Sequence, residues 1–223
     1  MLDTLQFLLK NTPLLLKGAW VAILITVLSI ALGMVIGVLV AFFRIYGTKP
    51  IKNLLYFYEW IMRGLPLLVI IFIIYFGFPS IGINMNGFVA VVLAMGLHSS
   101  AYQAQIYRGA ILSIGTEQME AALSQGMSKT MALRYVILPQ VVRLSLPGFT
   151  NEFTIVLKDS PLAYVVGIAE ILKYGREIIV VQARPFEIYL ACSILYFVLF
   201  HIFYYLFKYI ARRYEVPGFL ISE

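Results

Sequence analysis

The chain has 223 residues, 61% of them apolar and only 13% charged, against roughly 45–50% and 25% in ordinary soluble domains. Charge is absent from residues 18–43, 64–107 and 188–207, and roughly 20 consecutive apolar helical residues cross a bilayer. The pattern excludes a soluble globular protein, a disordered chain and a transmembrane β-barrel, whose segments alternate over about ten residues.

In chain order the runs predict an all-α membrane protein with five spans in a single domain over residues 1–223. Span 1 covers about 18–43. Its charge-free length exceeds the 7–15 apolar residues usual in a signal peptide, and no small-residue cleavage site follows, so it reads as a retained helix. Spans 2 and 3 cover about 58–78 and 87–107, joined by an uncharged turn. Span 4, about 140–157, is the weakest by hydropathy because it carries Arg143, Glu152 and Pro147. Span 5 covers about 186–207. The apolar stretch 162–169 between the last two spans is a candidate for dipping back into the membrane.

The net charge of +6 reads as basic residues at membrane boundaries beside lipid, not as a nucleic-acid surface. Arg44, Lys49, Lys52 and Arg63 follow span 1, Arg108, Lys129, Arg134 and Arg143 follow span 3, and Lys208, Arg212 and Arg213 follow span 5. Fewer basic residues fall on the opposite side. The positive-inside rule therefore predicts an outer N-terminus and a cytoplasmic C-terminus in a multi-pass cell-membrane protein. Cys192 is a lone cysteine and forms no intrachain disulfide. His98 and His201 stand far apart without a Cys/His cluster, so no metal site is expected.

Within the spans, Gly33 and Gly37 form a small-xxx-small pattern that suits close helix packing. Arg63 and Pro66 set the entry of span 2. His98, Ser99, Tyr102 and Gln105 make part of span 3 polar, either facing a path or bonding between helices. Glu152 is the strongest single signal, because a carboxylate in a span costs about 2.5–3.5 kcal/mol and normally faces a cavity or a partner. Helical spacing aligns Gly148, Glu152, Val156 and Asp159, with Asn151 and Ser160 flanking. The functional reading is a receptor for a substrate's amino group or cationic side chain. The competing reading is a structural salt bridge to Arg143 or Arg108.

The loop between spans 3 and 4 predicts two short helices. Thr116 can cap the first, whose first turn holds Glu117 and Glu120, and Gly126 stops it. Ser128 can cap the second, and Pro139 ends it. The string Gly126-Met127-Ser128-Lys129-Thr130 lacks the glycine and spacing of a phosphate-binding loop. Any ATP used must bind another chain.

Glu120-Ala121-Ala122, three residues, Gly126, and then Ile137-Leu138-Pro139 resemble the signature loop of ABC importer permeases. Arg63-Gly64-Leu65-Pro66, Ala101-Tyr102 with Arg108-Gly109, Pro147 with Asn151-Glu152-Phe153, and Lys158-Asp159-Ser160 resemble the polar amino acid subfamily. Three positions depart from its pattern: Gln105 in place of Glu, Thr116-Glu117-Gln118 in place of a Gly-Gln ending, and Pro161 in place of a small residue.

The resemblance implies a type I ABC importer permease without enzymatic chemistry or cofactor of its own, ATP and Mg belonging to the partner ATPase. It implies that the 117–139 loop docks on a cytosolic ATPase through Glu120, Ala121, Ala122, Gly126, Ser128, Lys129 and Arg134. The implied partners are two ATPase copies, a second permease (identical or related) and an extracytoplasmic substrate-binding protein. The implied substrate is a polar amino acid moved by alternating access, and the acidic Glu152 and Asp159 lean toward a basic one. The rival function is an ion-coupled secondary carrier, in which Pro147 and Pro161 would mark a broken helix.

Overall fold

A computed structural model describes residues 2–213 of the chain. Helix α1 (Leu2–Tyr46) runs unbroken for 45 residues and contains Pro13. At 1.5 Å per residue it is about 68 Å long, more than twice a bilayer's hydrocarbon core. It therefore overruns the expected span at both ends. Helix α2 (Lys49–Gly64) starts with Pro50 in its first turn, where a missing N–H costs nothing.

Leu65 precedes Pro66 and is extended (φ −91°, ψ 139°), as the proline ring demands. The chain bends there by 105° between Lys49–Gly64 and Leu67–Ile81. Beyond the bend lies α3 (Leu67–Phe72), followed by a π-turn at Ile73–Gly77 and a 3-10 turn at Phe78–Ile81. The range 58–78 thus straddles a sharp elbow.

Asn86 accepts from the Val89 amide at 2.9 Å and so starts α4 (Gly87–Ser113). The following loop holds α5 (Glu117–Ser124) and α6 (Lys129–Ala132), and a π-turn at Leu133–Ile137 leads into α7 (Leu138–Asp159). Two expectations are corrected here. Thr116 sits in helical backbone with no side-chain cap bond. Pro139 does not end a helix: it lies in the first turn of α7, which tolerates proline, so the helical path continues. Pro147 does not break α7 either.

Residues 162–169 fall mainly in a 3-10 helix at Ser160–Val166, whose Ala163 and Val166 pack into the core beside Leu67 and Ala90. Helix α8 (Ile171–Gln182) and helix α9 (Pro185–Arg213) complete the described chain. Among the described residues there is no strand.

Among the described residues, three helical stretches are long and apolar enough to cross a membrane, Gln6–Tyr46, Gly87–Ser113 and Pro185–Arg213, and the bent pair makes a fourth if it is one span. Helix α7 is more polar, carrying Arg143, Glu152, Lys158 and Asp159. It packs against α4 and α9. The pairing of α1 with α4 is the most extensive in the fold. Glycines make it possible: a Cβ on Gly33 would lie 2.5 Å from Gln103 Nε2, and one on Gly37 3.0 Å from the Ser100 carbonyl. Cys192 is a buried packing residue, against which a Cβ on Gly175 would come within 2.7 Å.

Candidate functional site

Glu152 is only 4% exposed and sits about two-thirds of the way along α7. Ser99 of α4, fully buried, donates to its Oε1 at 2.6 Å. Gln103, one helical turn further along α4, donates from Nε2 to Ser99 Oγ at 3.0 Å and to the Ile30 carbonyl of α1 at 3.2 Å. A carbonyl only accepts, so the amide nitrogen must face Ile30. Gln103 Oε1 is left buried without a hydrogen-bond partner. Three helices are thereby tied by one polar chain running from α1 through α4 to α7.

A cavity of about 230 Å³ opens beside this chain, lined by Leu67, Met95, His98, Tyr102, Glu152, Ile155, Val156 and Asp159. The His98 and Tyr102 rings lie 5.2 Å apart, and the Arg63 guanidinium sits 5.4 Å over the Tyr102 ring. One wall is therefore aromatic and the other carries two acids. Such a space suits a small molecule with a cationic group, because burying that charge requires a facing carboxylate.

The other expected pathway residues lie elsewhere. Gly148 faces Ile106, where a Cβ would come within 2.8 Å, so it serves the α4–α7 contact. Asn151 is exposed, outside the cavity lining. Ser160 is buried and donates to the Leu157 carbonyl at 2.8 Å. Gln105 is half-buried and lines no part of the cavity, whereas Gln103, two positions earlier, is the glutamine that matters. The salt-bridge alternative for Glu152 is corrected: its side-chain partner is Ser99, and Arg108 bonds elsewhere.

Arg108 instead reaches Glu59 of α2 at 3.4 Å, and Arg44 of α1 reaches the other carboxylate oxygen at 3.3 Å. Glu59 escaped the sequence reading because its partners are distant in the chain.

The turn at Gly126 and the cap at Ser128 take the geometry their residues encode. Gly126 takes φ +81°, and the amides of Gly126 and Met127 bond the Leu123 and Ala122 carbonyls. This is a glycine-ended helix terminus that closes α5. Ser128 accepts from the Met131 amide at 3.3 Å and opens α6. Glu120, Ala121, Gly126, Ser128, Lys129 and Arg134 are exposed together with the rest of this surface. Ala122 is buried, in an α5 that packs against α6 and the π-turn of the same loop.

Residues 30–216 match the family model for the binding-protein-dependent transport system inner membrane component. The chain belongs to that family. The permease is 35% identical over 206 residues to the glutamine transport system permease protein GlnP of Escherichia coli (strain K12), covering 92% of this chain and 94% of that one. It is 34% identical over 191 residues to the L-cystine transport system permease protein TcyB of Bacillus subtilis (strain 168), covering 84% and 80%.

A crystal structure of an amino acid ABC transporter with histidines matches the permease with a TM-score of 0.85 at 38% identity, over 92% of this chain and 96% of that one. An inward-facing MetNI methionine ABC transporter shares the fold with a TM-score of 0.75 at 20% identity, over 92% and 98%. The permease is thus an inner-membrane transport component of the ABC importer class and not an enzyme. Such a component works with an ATPase subunit and a substrate-binding protein.

Proposed function

We propose that this permease forms half of the membrane pathway of an ATP-driven importer for polar amino acids, basic ones among them. The observation that carries the reading is Glu152, a buried carboxylate held by Ser99 at the wall of a small cavity. The names of the relatives support a polar amino acid as substrate: glutamine for GlnP and L-cystine for TcyB. The substrate's cationic group faces Glu152 and Asp159, and its body lies against Tyr102 and His98.

The chain acts as one five-span domain with its N-terminus outside and its C-terminus in the cytoplasm. Residues 214–223 lie outside the described residues. Five spans enclose too little space for a path, so two permeases, identical or related, pair in the membrane. Two ATPase subunits dock on the loops at 117–139 through Glu120, Ala121, Gly126, Ser128, Lys129 and Arg134, and carry the ATP and Mg. A binding protein delivers substrate at the outer face. Closure of the ATPases draws the loops together and switches the cavity between outward and inward access.

Reconstitution of the permease with its ATPase and binding protein in liposomes tests this. ATP-dependent uptake of a labelled basic amino acid, competed by other basic amino acids, is the expected result. Uptake that persists without ATP and collapses with an ion gradient would overturn it in favour of a secondary carrier.

A further inference from the structure

The carboxylate of Glu59 is 4% exposed and accepts from two arginines, Arg44 on α1 and Arg108 on α4. Arg44 also donates to the Lys52 carbonyl at 3.3 Å, which pins the start of α2 to the end of α1. One residue before Glu59, the Tyr58 hydroxyl lies 2.6 Å from Ser100 Oγ and 3.1 Å from the Leu97 carbonyl, both on α4. Helix α2 is thus fastened to α4 at two levels and to α1 at one end.

The two ends of this fastening point to different parts of the molecule. Helix α4 runs on past Arg108 to Ser113 and gives way to α5 at Glu117. Helix α2 ends at Gly64, where a Cβ would meet nothing within 4 Å, and turns through 105°. Leu67, just past the turn, lines the Glu152 cavity, and Arg63, just before it, covers the cavity's Tyr102.

We propose that Glu59 is a positioning residue for transport: it joins the cytoplasmic ends of α1, α2 and α4 into one body that passes movement of the 117–139 loop through the elbow at residues 64–66 to the cavity wall. The proposal rests on the reading of that loop as the ATPase dock. The chemistry suits a clamp. A carboxylate between two guanidiniums satisfies otherwise costly buried charge, and removing it leaves two cations facing each other. Helix ends joined by such a contact move together, whereas ends joined only by apolar contact can slide.

The test is made on the complete complex, with its ATPase and binding protein, in liposomes. Uptake and ATP hydrolysis are measured for Glu59→Gln, Arg108→Gln and Glu59→Asp. The expected result for Glu59→Gln is a roughly tenfold fall in substrate moved per ATP, with the ATPase still bound and hydrolysis within about twofold of the parent. Arg108→Gln keeps the Arg44–Glu59 pair and so keeps the assembly should Glu59→Gln not assemble, and it falls in the same direction. Glu59→Asp restores part of the ratio. An unchanged ratio, or a parallel fall in uptake and hydrolysis, in assembled Arg108→Gln overturns the proposal. Gly126→Trp separates the two readings. Normal uptake by that variant removes the loop's coupling role and the clamp's with it. Loss of ATP-driven uptake in Gly126→Trp alongside a normal ratio in Glu59→Gln removes only the clamp.

Discussion

Ser99 donates its hydroxyl proton to Glu152 across the interface of α4 and α7. Gln103 donates to the same Ser99 oxygen, which keeps its own proton to give, and an ionised carboxylate can only accept it. The bond holds Glu152 at the cavity wall.

Replacing Glu152 by Gln keeps the volume and removes the charge. Uptake of a basic amino acid should lose about 30-fold or more in kcat/KM, since truncating one partner of a buried charge contact costs about 2–5 kcal/mol. Ser99→Ala should lose less, by the roughly 1.5–3 kcal/mol of a hydrogen bond to a charged group. Uptake kinetics in liposomes measure both, and parent-like kinetics for Glu152→Gln remove the residue from the pathway.

Gly126 separates strain from bulk. A Cβ there meets nothing within 4 Å, yet φ is +81°. Gly126→Ala should therefore cost only about 1–2 kcal/mol of local backbone strain and leave ATP-driven uptake near the parent rate. Gly126→Trp should block docking, seen as loss of ATPase on copurification while the permease remains in the membrane.

Gly18 has no such freedom. A Cβ at this position would lie 2.6 Å from the Ile171 amide nitrogen and 2.7 Å from Ile171 Cα. Backbone cannot swing aside as a side chain can, so Gly18→Ala should destabilise the α1–α8 contact by about 1–3 kcal/mol. A lowered thermal midpoint in detergent is the readout, and an unchanged midpoint shows that α8 is free to shift.

Glu170 caps α8 from full burial, accepting from the Leu172 and Lys173 amides at 2.8 Å and from the Tyr196 hydroxyl at 2.6 Å. Tyr196→Phe leaves the cap and should cost about 1.5–3 kcal/mol, as a hydrogen bond to a charged group. Glu170→Ala removes the cap, worth about 1 kcal/mol, and strands the hydroxyl as well. Thermal unfolding should rank the parent above Tyr196→Phe and that above Glu170→Ala; the reverse order sinks the cap assignment.

The long helices were legible because absence of charge is a local property: 18–43, 64–107 and 188–207 lie within α1, the α3–α4 region and α9. The turn at Gly126 and the cap at Ser128 were legible for the same reason. Thr116 misled because a capping residue type does not fix its own backbone, which here is already helical. Pro139 misled because the same residue that stops a helix also opens one. Pairings across the fold were not legible. Gln103 and Gln105 differ by about 200° around α4, and only the position of α1 decides which one is buried. Arg44 and Arg108 read as separate boundary charges, and Glu59 carries no signal of its own, until α1, α2 and α4 are brought together.

The bond from Gln103 to α1 ends on a main-chain carbonyl, that of Ile30. No side-chain replacement at position 30 deletes it, but displacement does. At 3.2 Å it already stands near the long limit of a useful hydrogen bond, and one residue of helix corresponds to about 1.5 Å. A slip of α1 along α4 by less than a single residue breaks this link and leaves Gln103 bonded to Ser99 alone. The contact is thus a register mark between two helices, sensitive to their sliding and indifferent to the side chain at position 30.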